Sequence, residues 1–196
     1  MQHYQEKQFD IPELKGISSQ NIEEHLKLYS GYVNNTNNIM DKIAELSDDF
    51  DKNLYLLTEM QRRFSFEFNG MRNHEYYFAS LEGGASEISE GDVKFMIEKE
   101  WGSFDKWLEL FKAIAKTRGV GWAILYYDKN TDSLVNGWVD EQHLGHLNGL
   151  SPVLCLDMWE HSFVADYQPS GKSQYIEDFF ANLNWQKIEE NFNQVK

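Results

Sequence analysis

The sequence predicts an α+β fold, in which a long N-terminal α-hairpin precedes helices around a small three-stranded antiparallel sheet. Apolar residues recur at three- and four-residue spacing in two long segments before residue 82. A glycine-containing segment, 82–86, then interrupts the pattern. Beyond residue 120, β-branched and aromatic residues become dense, as in strands. We therefore expect an α-hairpin domain over residues 1–84 and an α+β domain over residues 85–196.

The two helices of the hairpin are predicted from their caps and their apolar faces. Ser18 or Ser19 can cap the first helix, which we expect to end near Leu46. One face of this helix carries Ile22, His25, Tyr29 and Tyr32. The second helix is expected from about Asp51 to Leu81. Its shared face carries Phe66, Gly70, His74, Tyr77, Phe78 and Leu81.

The second half of the chain is predicted to mix short helices with strands. Ser89 and Ser103 each resemble N-caps, so helices are expected over 90–101 and 104–117. The predicted strands are Val120–Tyr127, Leu134–Val139 and Pro152–Asp157, the first two joined by a turn over 128–132. Helical patterns resume near Tyr175 and near Trp185.

The composition limits which binding partners and which cellular compartment we expect for this protein. The formal net charge of −14 argues against nucleic acid or an anionic membrane as a partner. No apolar run approaches the roughly 20 residues that span a bilayer. The one cysteine, Cys155, lies in an apolar run and is expected to be a buried, unpaired side chain. We therefore expect a cytoplasmic protein.

Four side chains could together bind a metal ion. His25 and His74 lie on the apolar faces of the two long helices, and Asp157 and His161 flank the end of a predicted strand. Three nitrogens and one oxygen would suit Fe, Mn, Zn or Cu and leave room for a solvent ligand. Two alternatives stay open on spacing alone. Each histidine could be an ordinary core residue, and Asp157 could cap a following helix.

Several motifs, in order along the chain, resemble the iron/manganese superoxide dismutase family. The strongest is Asp157-Met158-Trp159-Glu160-His161, similar to the family's D-x-W-E-H signature. The others are the segment from Ile17 to His25 followed by Tyr32-Val33-Asn34-Asn35-Thr36-Asn37, the segment Asn73 to Phe78, Gly121-Trp122-Ala123, and Asn184-Trp185. Together the matches span roughly residues 14–190.

This resemblance implies an activity and a set of site residues. His25, His74, Asp157 and His161 would hold one Mn or Fe ion per subunit, between the two domains. The ion would cycle between 3+ and 2+ states while the enzyme dismutes superoxide to oxygen and hydrogen peroxide. Trp122 and Trp159 match the family's aromatic wall, and Tyr32 matches an active-site tyrosine.

The resemblance also bears on the choice of metal. The family places a glutamine, or in some members a histidine, beside the metal-bound solvent. Here Gln142 occupies that place, with His143 as the neighbouring alternative. Position 70, four residues before the second histidine, is glycine. In the family, this glycine together with a glutamine at the place of Gln142 favours manganese. Glu160 of one subunit would bond His161 of the other, which implies a homodimer.

This chain departs from the family pattern in three places. Tyr32 follows His25 by seven residues where the family has eight, so we expect the family's helix to hold an extra irregular residue that is missing here. A histidine and a tyrosine that usually bond each other are both absent, with Val164 in the tyrosine's place. A usual arginine is replaced near Lys172. Candidates for a positive patch that attracts superoxide are Lys27, Arg72, Arg118 and Lys172.

Two competing functions follow from the same residues. A zinc hydrolase could use the same donor set, but no general base is evident beyond Glu75 and Glu160. A non-catalytic metal-binding or scaffold relative of the same fold is the second alternative. Metal analysis combined with a superoxide-consumption assay distinguishes these two alternatives from superoxide dismutation.

Overall fold

A computed structural model describes residues 2–196 of the chain. The helices are α1 (Ser19–Leu46), α2 (Phe50–Ala79), α3 (Asp92–Trp101), α4 (Phe104–Ala115), α5 (Lys172–Asn182) and α6 (Trp185–Val195). The strands are β1 (Gly121–Asp128), β2 (Ser133–Asp140) and β3 (Ser151–Asp157). The predicted fold class, a long helical hairpin followed by helices around a three-stranded antiparallel sheet, is confirmed. The domain boundary at residue 84 stays a prediction.

The hairpin forms because each long helix has one buried face and a defined end. The Ser18 hydroxyl accepts a hydrogen bond from the Asn21 N–H at 3.1 Å, so Ser18 is the cap of α1. A short 3₁₀ turn, Ser47–Asp49, reverses the chain into α2. The buried residues of α2 lie mostly in its second half, over 67–78. This half packs on the rest of the protein, so the site-bearing ends of both helices face the core.

The sheet has the strand order β2-β1-β3, with β1 in the centre and both pairings antiparallel. Trp122 of β1 is paired with Val139 on one side and with Asp157 on the other. Seven of the eight residues of β1 are buried, which fits a central strand covered on both faces. A side chain at Gly121 would meet the Val139 carbonyl oxygen at 2.0 Å, so the strand requires glycine immediately before Trp122.

The predicted start of α3 is wrong. Its N-cap is Gly91, two residues after Ser89, and no side chain of its own caps it. The carboxylate of Glu189, on α6, accepts the N–H groups of Asp92 at 2.7 Å and Val93 at 2.9 Å. A distant residue thus satisfies the exposed donors of this helix terminus. The cap of α4 is Ser103 as predicted, although α4 ends at Ala115 rather than at residue 117.

The core is continuous from the hairpin to the sheet. Its largest fully buried side chains include Trp107, Trp122, Tyr29, Tyr77, Tyr126, Tyr175 and Phe179. Cys155 is buried and free, as expected. Among the residues that the structure describes, no helix is long and apolar enough to cross a bilayer.

Candidate metal centre

The four predicted donors, distant in sequence, lie together in the fold. His25 comes from α1 and His74 from α2, while Asp157 ends β3 and His161 lies in the 3₁₀ turn that follows it. One potential ligand atom from each residue lies within 4.8 Å of all the others. His25, His74 and Asp157 are buried, and the His161 side chain is 22% exposed. The site therefore lies where the helical hairpin meets the sheet.

The distances among these atoms fit a common metal ion. The Asp157 Oδ2 atom lies 3.2 Å from His25 Nε2, 3.1 Å from His161 Nε2 and 3.6 Å from His74 Nε2. Two ligand atoms each about 2.1 Å from one ion are separated by about 3.0 Å at 90° and about 3.6 Å at 120°. The observed spacings fall in this range.

Local hydrogen bonds orient two of the donors. His74 Nδ1 lies 2.6 Å from the Gly70 carbonyl oxygen and donates to it, so Nε2 keeps its lone pair for a ligand bond. That Nε2 atom is buried and has no hydrogen-bond partner among the described residues. Asp157 Oδ1 accepts the Trp159 N–H at 2.8 Å while Oδ2 faces the histidines. Asp157 therefore stabilises the following turn and also faces the site.

Burial and the neighbouring groups shift the pKa values of His25, His74 and Asp157 towards the protonation states that bind metals. Desolvation, followed by the proximity of His25, lowers the pKa of His74 to about 3. Desolvation also lowers the pKa of His25. Burial acts to raise the pKa of Asp157, but the adjacent His161 and His25 outweigh it and hold that pKa well below its usual range. Neutral imidazoles beside a carboxylate are the ligand forms that a cation requires.

A chain of hydrogen bonds places Gln142 and Tyr32 beside the donors. Gln142 is fully buried, accepts from Trp122 Nε1 at 2.8 Å and donates to the Tyr32 hydroxyl at 3.0 Å. The Tyr32 ring lies 5.1 Å from that of His74, between centroids. His143 is half-buried, and its ring meets Phe66 edge-on at 5.6 Å. Gln142, rather than His143, therefore makes the polar contacts nearest the donor set.

Gly70 has a steric role in this arrangement. A Cβ atom at position 70 would lie 2.6 Å from Cδ1 of Tyr32, so the Tyr32 ring occupies the space that a side chain there would need. The helix α1 runs without interruption from His25 to Tyr32, and their seven-residue spacing places both on the face towards the site. This regular helix agrees with our expectation that no extra residue is present here.

Aromatic rings enclose the donors. Trp122 meets His74 edge-on at 5.0 Å, and Trp159 stacks on His161 at 5.9 Å. Phe66 lies 6.1 Å from Tyr32 and 6.4 Å from Trp159, which closes the outer side of this wall. Phe66 shares the predicted helix face with Gly70 and His74, but no role was predicted for it. Its position two helical turns before His74 was the available signal.

Tyr29, beside the site on α1, makes its polar contacts within one chain. Tyr29, one turn after His25, accepts the Lys7 N–H at 2.9 Å and lies 3.4 Å from a Glu75 carboxylate oxygen. Tyr29 therefore needs no partner from elsewhere. Val164 is 42% exposed and makes no such bond.

Three of the predicted anion-attracting cations have partners away from the aromatic wall. Lys27 pairs with Glu24, Arg72 pairs with Glu75, and Lys172 donates to the Thr117 carbonyl at 2.9 Å. Arg118, the fourth, is exposed. Among residues 2–196, the cation that contacts the wall is Arg63, for which no role was predicted; its guanidinium carbon lies 4.0 Å from the Phe66 ring centroid.

The fold and the site together define a class: a protein with a helical hairpin and an α+β half that converge on a buried set of three histidines and one aspartate. Comparison with known proteins gives the family. Residues 89–191 match the family model described as iron/manganese superoxide dismutases, C-terminal domain. An iron superoxide dismutase from Cupriavidus metallidurans is 36% identical over 182 residues, covering 91% of this chain and 90% of that relative.

Two further relatives carry other metals in their names. A manganese superoxide dismutase from Mycolicibacterium fortuitum is 30% identical over 187 residues, which cover 94% of this chain and 89% of the relative. A manganese/iron superoxide dismutase from Aeropyrum pernix is 29% identical over 202 residues, with 96% and 92% covered. The chain belongs to the iron/manganese superoxide dismutases, a family of oxidoreductases.

Proposed function

We propose that this protein dismutes superoxide, converting two superoxide anions and two protons into one oxygen and one hydrogen peroxide. The observation that carries the proposal is the convergence of His25, His74, Asp157 and His161 on one point. When bound there, a Mn or Fe ion supplies the redox chemistry by alternating between its 3+ and 2+ states. We assign these four side chains as its ligands, one ion per subunit.

The residues around the ion site deliver protons and order solvent. Each turnover consumes two protons, and the Trp122–Gln142–Tyr32 hydrogen bonds form a fixed polar path beside the donors. Because the Gln142 carbonyl oxygen accepts from Trp122, its amide nitrogen is the donor to the Tyr32 hydroxyl. Burial raises the pKa of Tyr32 above its ordinary value, so the hydroxyl stays protonated and can donate.

We propose manganese as the preferred ion, with iron as the alternative. The support is the origin of the glutamine: Gln142 comes from the second half of the chain, and Tyr32 fills the space beside Gly70 from which a glutamine could otherwise come. The named relatives include iron, manganese and mixed enzymes. The test is to load the metal-free protein with each ion separately. Higher activity per bound iron than per bound manganese would contradict this preference.

We also propose a homodimer bridged by Glu160 and His161. Among residues 2–196, the Glu160 side chain makes no hydrogen bond or ion pair, and it is exposed beside the partly exposed His161. Exposed Val164 lies on the same turn and offers apolar contact. A Glu160→Ala variant should dissociate more readily and bind metal less tightly. Unchanged dimerisation, metal content and activity would contradict the bridge. We place the protein in the cytoplasm, where a single free cysteine is common.

The decisive experiment measures metal content and superoxide consumption on the same preparation from the native host. We expect one Mn or Fe per chain and activity proportional to it. A His74→Gln variant should lose both metal and activity. Bound redox metal without activity would favour the non-catalytic alternative, and bound zinc would favour the hydrolase.

A further inference from the structure

Arg63 lies at the outer edge of the site, over the ring that closes the aromatic wall. Its guanidinium carbon is 4.0 Å from the centroid of Phe66, and Phe66 in turn contacts Tyr32, His143 and Trp159. The Arg63 side chain is 53% exposed, so its charge faces solvent at this edge. Among the described residues, it is the one cation whose aromatic contact is with this wall.

A buried carboxylate fixes this guanidinium in place. Glu67, one turn later on α2 and only 4% exposed, accepts from Arg63 through one oxygen, 2.8 Å from Nε and 2.5 Å from a terminal nitrogen. The second Glu67 oxygen lies 3.4 Å from the Asn35 amide nitrogen. A buried carboxylate is costly without a charged partner, so the pair holds both side chains in one geometry.

The pair matters because the substrate is an anion and the chain is strongly acidic, with a formal net charge of −14. Left alone, Glu67 would place an uncompensated negative charge next to Phe66 of the aromatic wall. Both charges lie beside the aromatic wall, because Arg63 contacts the Glu67 carboxylate and the Phe66 ring at once. Arg63 therefore offsets the charge of Glu67 and presents an exposed cation at the outer edge of the site.

We propose that Arg63, held over Phe66 by Glu67, is the entrance cation that attracts superoxide to the ion site. This inference rests on the proposed superoxide dismutase function. Arg63 acts on the approach of the anion and not on the chemical step. Its loss should therefore change kcat/KM more than kcat, and the change should depend on ionic strength.

The chain offers a matched control one residue away. Arg62 is also on α2 and also pairs with a glutamate, Glu59, at 2.9 Å, but its side chain is 71% exposed and lies outside the wall. Arg63→Gln and Arg62→Gln remove the same charge from adjacent positions. Glutamine keeps an amide that can donate to Glu67, which favours correct folding of the first variant. The Arg63→Gln/Glu67→Gln double variant removes both charges and leaves no buried carboxylate unpaired.

The experiment measures kcat and KM of the metal-loaded variants at low and high ionic strength, alongside metal content. At low ionic strength we expect Arg63→Gln to lower kcat/KM about tenfold and Arg62→Gln less than about twofold, since charge steering contributes factors of about 10 or more in a confined opening. Added salt should shrink the first effect. Arg63→Lys should recover most of the loss, and the double variant should fall between Arg63→Gln and the unmodified protein.

A second readout does not depend on turnover. Azide is a small anion that binds redox metals and changes their absorption, so its association rate can be followed by stopped flow. We expect Arg63→Gln to slow azide association by a similar factor, with Arg62→Gln unchanged. Equal rates in these two variants, in both assays, would overturn the role of Arg63. An unmodified protein that binds azide but does not consume superoxide would instead overturn the proposed function.

Discussion

Replacing Gly70 by alanine tests whether the site depends on the close contact between α2 and Tyr32. Gly70 and Gly31 are both helical glycines, and alanine normally suits a helix interior better by about 0.5–1 kcal/mol. A Cβ at position 31 would meet nothing within 4 Å, whereas a Cβ at position 70 would lie 2.6 and 2.7 Å from two Tyr32 ring atoms. Gly31→Ala therefore serves as the matched control.

The contact distances set the size of the effect. The Tyr32 ring must retreat by nearly 1 Å to reach an ordinary contact of about 3.5 Å. It is confined by Phe66 and His74, at centroid distances of 6.1 and 5.1 Å. Overpacking of this kind costs about 1–3 kcal/mol, which exceeds the helical gain and leaves a net loss of about 0.5–2 kcal/mol. The same movement stretches the 3.0 Å bond from Gln142 to the Tyr32 hydroxyl.

Thermal unfolding and activity per bound metal give the assay. For a chain of this size, we expect Tm to fall by about 1–8 °C in Gly70→Ala and to rise by about 1–4 °C in Gly31→Ala. Activity should fall only in the first variant, because only there is the Tyr32–Gln142 bond displaced. If Gly70→Ala were as stable and as active as Gly31→Ala, the tight packing of Tyr32 against α2 would not hold the Tyr32–Gln142 bond in place.

Three further predictions address proton delivery, acid sensitivity and helix capping. Tyr32→Phe, which removes the acceptor for the Gln142 N–H, should lower kcat by about tenfold at unchanged metal content, and an unaltered kcat would remove Tyr32 from proton delivery. The metal-free protein should lose stability as the pH falls below about 6.5. In the unfolded chain His74 becomes protonated near that pH, whereas in the folded protein it stays neutral down to about pH 3. The loss is up to about 1.4 kcal/mol per pH unit, and equal pH slopes for the unmodified protein and His74→Gln in chemical unfolding would contradict it. Glu189→Ala should lower the free energy of unfolding by about 1–2 kcal/mol by uncapping α3, whereas Glu190→Ala, on the same helix, should change it by less than about 0.5 kcal/mol; similar values for the two would contradict the capping role.

Much of the fold could be predicted because its signals are local. The spacing of apolar residues along α1 and α2 reflects which side of each helix is buried, and this pattern can be recognised from a few consecutive helical turns. Ser18 and Ser103 cap their helices by accepting hydrogen bonds from backbone N–H groups only three residues further along the chain. The cap of α3 escaped prediction because Glu189, 97 residues away, supplies it. Nothing in the local sequence around Ser89 reports that contact.

The site was predictable to a smaller extent from the residues themselves. Short motifs identified His25, His74, Asp157 and His161 through a family resemblance, whereas spacing alone left each histidine equally suited to a core. Only the folded chain brings atoms from positions as far apart as 25 and 157 to 3.2 Å. That approach depends on the packing of two helices against a strand end, which no local pattern encodes.

The sequence by itself determined the order of helices and strands, the acidic character of the chain and the candidate donors, because these follow from residue type and short-range spacing. The tertiary structure decided which polar groups meet: Gln142 with Tyr32, and Arg63 with Glu67 over Phe66. Hydrogen bonds and charge pairs act over a few ångströms, and such distances between remote segments exist only after the hydrophobic core has packed.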